Sequence, residues 1–492
     1  MIDLLRGWFT PKIPLGAFGP RLFRQTVSLP VNDLTSHIHV IGTTGSGKSR
    51  FLAGLILNLL ERGQALTVID PHGDLVRLVM AQLVARGRFQ DERLFERLIF
   101  LDIPAAERQG RYLPFNVLRQ SLPVHSLAAN VKEAFHRAWP ALSDGAAPMF
   151  DTLIQDGAKV LASNDLPLTR LYRLLSDRVF RELLLERERD PEIVHFFRDQ
   201  FERLPPRDQL IQAGSALRRA HLLTFSPVLR HSLGQAENLL NFRQLIDDGR
   251  SVLINLALPD ADSRRLLGCL LTVFAEQGAL SRSDLPADQR TPIHHLFIDE
   301  WSEFAAQSEV ALARILSLTR KVGLFAVLAH QTWSQADQRM QGALQNVGLQ
   351  VTFRLGRNDA ELAARHFGAV DSRSIKHRVA DPTAAERGHP LYEPLPEQWE
   401  GWIQTLQGLP DRHAFLRQGD GRLKHFQSLA VPDPKGIERE LADVERIYLQ
   451  RYFRPINRLE KETQLNAPRD ISRSRLARRR RVQERDTVSV AG

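Results

Sequence analysis

The segment that most constrains this chain is Gly42-Thr43-Thr44-Gly45-Ser46-Gly47-Lys48-Ser49, which matches the pattern G-x-x-x-x-G-K-[ST] at every position. The stretch before it, 37–41, alternates like a strand, and the stretch after it, 50–62, has the apolar spacing of a helix. Glycines at these positions let successive N–H groups face an anion, and the helix start adds positive potential. The segment therefore predicts a phosphate-binding loop, and its strand–loop–helix setting disfavours the alternative of an unrelated glycine-rich turn.

The side chains of this loop predict a nucleoside triphosphate bound with magnesium. Lys48 is spaced to reach the β and γ phosphates, and the hydroxyl of Ser49 is spaced to ligate Mg²⁺. We therefore expect ATP and Mg²⁺ at this loop. The nucleotide-binding residues that we predict are Gly42, Thr43, Thr44, Gly45, Ser46, Gly47, Lys48, Ser49 and Arg50.

A second part of the site is predicted where an apolar strand ends in two carboxylates, Asp299 and Glu300. Side chains at the carboxyl end of a parallel strand face the ligand crevice. Asp299 is placed to hold the water shell of Mg²⁺, and Glu300 is placed to activate the attacking water as general base. The alternative is a pair of solvated acids, which the presence of the phosphate loop makes less favoured.

Further polar side chains flank predicted strands, and each allows two interpretations. Gln331 either senses the γ-phosphate or caps the following helix. Arg320 is either an arginine finger that acts on a neighbouring subunit's nucleotide or a solvated charge at a helix end, and Arg354 and Arg357 compete for the finger role. Asp70 either faces the nucleotide or a partner subunit, or it belongs to the turn that the following Pro and Gly predict.

The order of the predicted elements indicates an α/β fold. Strands and helices alternate in two regions, which predicts a mostly parallel sheet, and a long block with helical periodicity separates them. We expect an NTPase core that is interrupted by an all-α insertion domain. The predicted segments are an N-terminal arm or small β element (1–34), the first half of the core (35–120), the insertion (121–243), the second half of the core (244–431) and a polar, basic C-terminal tail (432–492).

The charge and the residue composition of the chain limit the partners and the compartment that we expect. Lys and Arg number 66 against 57 Asp and Glu, so the formal charge of the 492-residue chain is +9, which suits a nucleic acid or another acidic partner. The run Arg478–Arg481 is either a solvated tail or a nonspecific polyanion contact. The one cysteine, Cys269, allows no intramolecular disulfide and fits a reducing compartment. Because no stretch approaches about 18 uncharged apolar residues, we expect no membrane span and a cytoplasmic protein that partners recruit to the inner membrane.

Together these motifs resemble the HerA–FtsK superfamily of DNA-pumping ATPases. Within it, the chain is most similar to the HerA-like and conjugative coupling-protein (TraG/TraD-type) branch, over roughly residues 35–430. The segments that carry the resemblance are GTTGSGKS at 42–49, VIDPHGDL at 68–75, LFIDEWSEF at 296–304, TRKVGLFAVLAHQ at 319–331 and NVGLQVTFRLGRNDAELAARHF at 346–367.

The resemblance implies a RecA-like P-loop core with helices on both faces of its sheet, a homo-hexameric ring, ATP at the subunit interfaces and DNA in a central channel. It also implies roles for single residues: Lys48 and Ser49 bind ATP with Mg²⁺, Asp299 supports Mg²⁺, Glu300 activates water, Gln331 senses phosphate, and Arg320 is the finger in trans.

The leading hypothesis is therefore an ATP-driven DNA translocase, as in conjugative DNA transfer or DNA processing. The alternative is an ATP-gated adaptor that recruits a relaxase, a nuclease or a secreted protein without pumping DNA. A strand-separating helicase is less favoured, because the sequence shows neither paired core domains nor an evident strand-splitting element.

Overall fold

The computed structural model describes residues 12–19, 23–140, 149–305, 315–336, 338–368, 370–379 and 389–456. The strands in these residues are β1 (Lys12–Phe18), β2 (Gln25–Pro30), β3 (Ile38–Ile41), β4 (Ala65–Asp70), β5 (Leu98–Asp102), β6 (Arg111–Tyr112), β7 (Ser251–Asn255), β8 (His294–Ile298), β9 (Leu324–His330), β10 (Leu349–Thr352), β11 (Ile375–Val379), β12 (His389–Tyr392), β13 (His413–Gln418), β14 (Leu423–Ser428) and β15 (Arg454–Pro455).

The α-helices of the same residues are α1 (Lys48–Glu61), α2 (Asp74–Ala85), α3 (Glu92–Arg97), α4 (Ile103–Arg108), α5 (Val124–Ala138), α6 (Phe150–Ser163), α7 (Leu171–Ser176), α8 (Arg178–Leu185), α9 (Pro191–His195), α10 (Pro206–Phe225), α11 (Pro227–Leu233), α12 (Phe242–Asp247), α13 (Ala261–Leu280), α14 (Ser302–Ala305), α15 (Gln338–Gln345), α16 (Arg357–Phe367), α17 (Leu395–Gln407) and α18 (Glu438–Tyr452).

The centre of the molecule is an 11-stranded sheet in the order β2-β1-β14-β13-β10-β3-β9-β8-β4-β7-β5. From β10 to β5 every neighbouring pair is parallel, whereas β13, β14, β1 and β2 continue the sheet as antiparallel strands. The predicted mostly parallel sheet is therefore confirmed. The central strands are mostly apolar and are buried along their whole length, as parallel strands covered by helices require.

The chain winds in both directions across this sheet. The crossover from β3 through α1 to β4 moves toward β5, whereas the crossover from β7 through α13 to β8 moves back toward β3. Since parallel crossovers are right-handed, opposite directions place the two helices on opposite faces. Because β3, β9 and β8 are parallel neighbours, their carboxyl ends lie side by side, and ligands bind at such ends where the winding direction reverses.

Helices occupy the described residues between β6 and β7, which confirms an α/β core with an all-α insertion. Helix α5 of this block packs against α13 of the core. Between them, Arg137 Nη2 lies 2.8 Å from Glu276 Oε2, and both side chains are completely buried. The pair joins the insertion to the core, and loss of either partner would leave the other charge buried without compensation.

Two strands occupy the predicted N-terminal arm or small β element, and a helix occupies part of the predicted polar tail. Strands β1 and β2 extend the main sheet, and Gly16 permits close pairing with β14, because a Cβ at this position would lie 2.1 Å from the carbonyl oxygen of Gln427. Helix α18, predicted as part of a polar tail, packs on β5, where the buried Tyr448 hydroxyl donates to Leu98 O at 2.9 Å. The basic run 478–481 lies outside the described residues. Within the described ranges, no helix is long and apolar enough to span a bilayer.

Candidate active site

The phosphate loop connects β3 to α1 in the conformation that its glycines allow. Gly45 and Gly47 have φ values of 78° and 105°, a region that other residues rarely adopt. A side chain on Gly47 would also meet the backbone of Arg412, whose Cα lies 2.9 Å from the Cβ position. The loop is held by its neighbours, because Gly42 N donates to the carbonyl of His330 and Arg412 N donates to that of Ser46. The backbone is thus preorganised before the first turn of α1.

Lys48, the first residue of α1, faces the carboxylate of Glu300. Its Nζ lies 3.4 Å from Glu300 Oε2, and the two side chains are only 8% and 6% exposed. Burial acts to raise the pKa of Glu300, but the Lys48 charge and three side-chain hydrogen bonds outweigh it, so this pKa lies below its ordinary value. The three donors are Gln335, Gln331 and Ser302. Glu300 is therefore held ionised next to the phosphate loop, as a proton acceptor must be.

The backbone around Glu300 turns sharply to reach this position. Its φ is 51°, in the left-handed region that non-glycine residues rarely adopt. Hydrogen bonds fix the chain on both sides, because Asp299 N donates to Ile69 O and Trp301 N donates to Ala329 O. Such conformations persist only where surrounding contacts enforce them, and they concentrate at functional sites.

Asp299 is buried next to Glu300 and has an oxygen without a partner. Its Oδ1 accepts no hydrogen bond from any described residue. Burial raises the pKa of Asp299 to about 6, with further increases from the charges of Asp70 and Glu300, against the lowering effect of Lys48. A buried carboxylate oxygen without a donor fits a metal ion or its water shell, because an unsatisfied group of this kind is otherwise costly.

Gln331 follows β9 and joins the phosphate loop to Glu300. The hydroxyl of Thr44 donates to Gln331 Oε1 at 2.9 Å, and the side chain of Gln331 lies close enough to Glu300 to contribute to the lowering of its pKa. The structure therefore brings Lys48, Asp299, Glu300 and Gln331 together at the carboxyl ends of three neighbouring strands, β3, β8 and β9.

Two other predicted residues have their polar atoms engaged within the chain. The Asp70 carboxylate accepts from His72 N at 2.9 Å and from Val76 N at 3.1 Å, which is the turn arrangement that the sequence offered as the alternative. Arg50 hydrogen-bonds the carbonyl of Val431 and lies 2.6 Å from Asp433 Oδ2. Its guanidinium is thus directed to the segment that follows β14.

The three candidates for the arginine finger lie at opposite ends of the parallel strands. Arg354 and Arg357, beyond β10, form ion pairs with Asp411 at 2.8 Å and with Glu400 at 2.6 Å. Arg320 is exposed in the 3-10 turn Thr319–Val322, before β9. The phosphate loop lies beyond the other end of β9, so about 23 Å of strand, at about 3.3 Å per residue, separates Arg320 from the loop of its own chain. Arg320 therefore does not reach the phosphate loop of its own chain.

Sequence reasoning missed two residues of this site. Gln335 Nε2 donates to Glu300 Oε1 at 2.8 Å, and Ser302 Oγ donates to the same oxygen at 3.2 Å. Gln335 carries a readable signal, because Thr332 and Gln335 have the spacing of a capping box, and the structure forms that box. Nothing in the sequence places this turn beside Glu300, however, because the contact depends on the pairing of β8 with β9.

The fold and this site define a P-loop NTPase with a RecA-like core. Residues 21–125 match the family model described as helicase HerA, central domain. The chain is also similar to the solved unbound form of the bacterial conjugative coupling protein TrwBdeltaN70, with 18% identity, 82% of this chain and 87% of that chain covered, and a TM-score of 0.56. The family-model match supports the predicted resemblance over residues 21–125, and the match to the coupling protein shows that the two chains share a fold.

Two further comparisons agree in fold. Plasmid coupling protein TrwB in complex with the non-hydrolysable ATP analogue ADPNP matches with 18% identity, 87% of this chain and 92% of that chain covered, and a TM-score of 0.56. VirB4 of Thermoanaerobacter pseudethanolicus matches with 13% identity, 85% and 96% covered, and a TM-score of 0.54. No curated protein sequence matches the chain.

Proposed function

We propose that this chain is an ATP-hydrolysing motor that moves DNA through the central channel of a homo-hexameric ring. The observation that carries the proposal is the convergence of a P-loop lysine, two carboxylates and a strand-end glutamine at the carboxyl edge of β3, β8 and β9. These are the parts that ATP hydrolysis needs, namely phosphate binding, metal support, water activation and phosphate sensing.

The proposed ligands are ATP and Mg²⁺. The similar TrwB has been solved with ADP and Mg²⁺, with a TM-score of 0.55 to this chain. In this chain, the unpartnered Oδ1 of Asp299 and the exposed hydroxyl of Ser49, in the first turn of α1, suit a hydrated cation. Such a cation neutralises phosphate charge when bound.

The residues of the chain divide the hydrolytic step among them. Lys48 and the N–H groups of the phosphate loop bind the phosphates and offset their charge. Glu300 accepts a proton from the attacking water, and its lowered pKa keeps it available to do so. Gln331, which contacts both the loop and Glu300, orients the water against the γ-phosphate.

The proposed ring assembly and the proposed DNA binding rest on different observations. Arg320 lies too far from its own phosphate loop to act there, so its role as an arginine finger requires a neighbouring subunit. The formal charge of +9 suits sequence-independent contact with DNA phosphates. We further propose that the motor works in the cytoplasm, that partners recruit it to the inner membrane, and that it acts with a relaxase or a nuclease.

Steady-state ATP hydrolysis with and without DNA, at two salt concentrations, tests this proposal. A motor should hydrolyse ATP faster with DNA, and the stimulation should fade as salt weakens phosphate contacts. Glu300→Gln is the control, and it should remove the hydrolysis. Slow hydrolysis that DNA does not change would instead favour the ATP-gated adaptor.

A further inference from the structure

Gln335 connects the carboxylate of Glu300 to the backbone of the segment that carries Gln331. Its side chain extends from the 3-10 turn Trp333–Gln335, which follows β9. The Nε2 atom donates to Glu300 Oε1 at 2.8 Å. The Oε1 atom accepts from the backbone N–H groups of Gln331 at 3.2 Å and Thr332 at 3.1 Å. One amide group therefore contacts both the general base and the backbone of the sensor.

The two ends of this amide are not interchangeable. A rotation by 180° would place the NH₂ group of Gln335 against two N–H donors and its oxygen against the Glu300 carboxylate. Both contacts would be repulsive, so the surrounding donors determine the orientation of the amide. Gln335 must therefore present a donor to Glu300 whenever its turn is formed.

The turn itself is anchored independently of Glu300. Thr332 and Gln335 form a reciprocal capping box, and the carboxylate of Asp359 accepts from Trp333 N at 3.0 Å in a buried position. Gln341, on α15, donates through its amide to the carbonyl groups of Trp333 and Ala336. The side chain of Gln335 is thus held on a supported frame and is suited to hold another group in place.

The contacts also separate the roles of the two Glu300 oxygens. Oε1 accepts hydrogen bonds from Gln335 and Ser302, whereas Oε2 faces Lys48 at 3.4 Å. When Lys48 binds a phosphate instead, Oε2 is the oxygen that can accept a proton from water. Rotation of the carboxylate would exchange the two oxygens, and the donors on Oε1 oppose that rotation.

We propose that Gln335 is the positioning residue of Glu300: its amide fixes the carboxylate so that Oε2 faces the attacking water, and it couples this orientation to the sensor residue Gln331. This inference rests on the proposed ATP hydrolysis at the same site. Gln335 contacts neither water nor phosphate in this role and acts only through Glu300.

The isosteric variant Gln335→Glu tests the proposal. It keeps an acceptor for the two backbone N–H groups but replaces the donor to Glu300 by a second carboxylate. The matched control is Gln341→Glu, which weakens the same turn without contacting Glu300. Gln335→Met, which lacks both polar atoms, is measured in parallel so that the result does not depend on the folding of one variant. The readouts are kcat for ATP, the dissociation constant for ADPNP and the melting temperature of the full chain.

We expect Gln335→Glu and Gln335→Met to lower kcat by about tenfold to a hundredfold, a large part of what a general base contributes. ADPNP should bind within about threefold of its wild-type affinity, because the phosphate loop is unchanged. Gln341→Glu should keep kcat within about twofold even where it lowers the melting temperature. A kcat within twofold of wild type in both Gln335 variants, or an equal loss in Gln341→Glu, would overturn the proposal.

A double-mutant cycle separates this proposal from the function on which it rests. Combined with Glu300→Gln, the Gln335→Glu change should reduce the residual rate by less than about twofold, because residues that act as a unit are not additive. A further tenfold loss would show that Gln335 acts independently of Glu300 and would overturn the inference. ATP hydrolysis at the wild-type rate by the single variant Glu300→Gln would instead contradict the proposed function.

Discussion

Replacing Glu300 by glutamine should strengthen nucleotide binding while it removes hydrolysis. In the structure, Lys48 Nζ lies 3.4 Å from Glu300 Oε2, with both side chains almost completely buried. At an effective dielectric constant of about 20, this separation corresponds to about 5 kcal/mol of Coulomb attraction. A nucleotide whose phosphates bind Lys48 must overcome this attraction, and its binding also places negative charge close to Glu300.

Glutamine keeps the shape of the side chain and an oxygen for Ser302 and Gln335, but it removes the charge. With its oxygen on that side, the new amide turns its NH₂ group toward Lys48 and offers it no acceptor, while hydration of the lysine offsets most of the Coulomb energy. We expect a net gain of about 1.4 kcal/mol, which corresponds to about tenfold tighter binding. Calorimetric titration with ADP measures this affinity directly, because ADP has no γ-phosphate that could be hydrolysed during the titration.

The neighbouring acid provides the matched control for this measurement. Asp299→Asn also removes one negative charge, but it removes the carboxylate oxygen that we assign to the water shell of Mg²⁺. It should therefore weaken ADP binding in the presence of Mg²⁺ and change it little in the presence of a chelator. Unchanged or weaker ADP binding by Glu300→Gln would refute the argument that the Lys48–Glu300 pair opposes nucleotide binding.

Three further changes have defined outcomes. Lys48→Ala should abolish ATP binding, and tight binding by that variant would remove the phosphate-loop assignment. Glu276→Leu should destabilise the chain by about 3 kcal/mol, because it removes a carboxylate from the buried Arg137, and the double variant with Arg137→Met should recover most of the loss in melting temperature. An equal loss of melting temperature in the single and the double variant would contradict this reasoning. Arg320→Ala rings should not hydrolyse ATP but should recover activity when mixed with Lys48→Ala subunits, and inactivity at every mixing ratio would argue against a finger in trans.

The local parts of the site were predictable because their residue types encode their geometry. The phosphate loop needs glycines where φ is positive, and the structure has Gly45 and Gly47 at those angles. The strand that ends at Ile298 and the carboxylates that follow it were also predictable, since a continuous apolar run indicates a buried strand. The left-handed turn at Glu300 was not predictable, because it depends on hydrogen bonds to two neighbouring strands.

The parts that sequence reasoning could not supply depend on contacts between distant segments. Strand β9 lies between β3 and β8, and this order brings Lys48 to Glu300 and Gln335 to the same carboxylate. The C-terminal helix α18 was assigned to a polar tail because its apolar face is narrow. Its buried residues Val444, Tyr448 and Tyr452 recur every four positions in an otherwise polar segment.

Displacement of streptavidin from biotinylated DNA during ATP hydrolysis tests the proposed motor most directly. Single- and double-stranded substrates are needed, with Glu300→Gln and ADPNP as controls that bind nucleotide without turnover. ATP-dependent displacement by the wild-type chain, absent in both controls, is the expected result. ATP hydrolysis that displaces streptavidin from neither substrate would contradict DNA translocation and would favour an ATP-gated adaptor.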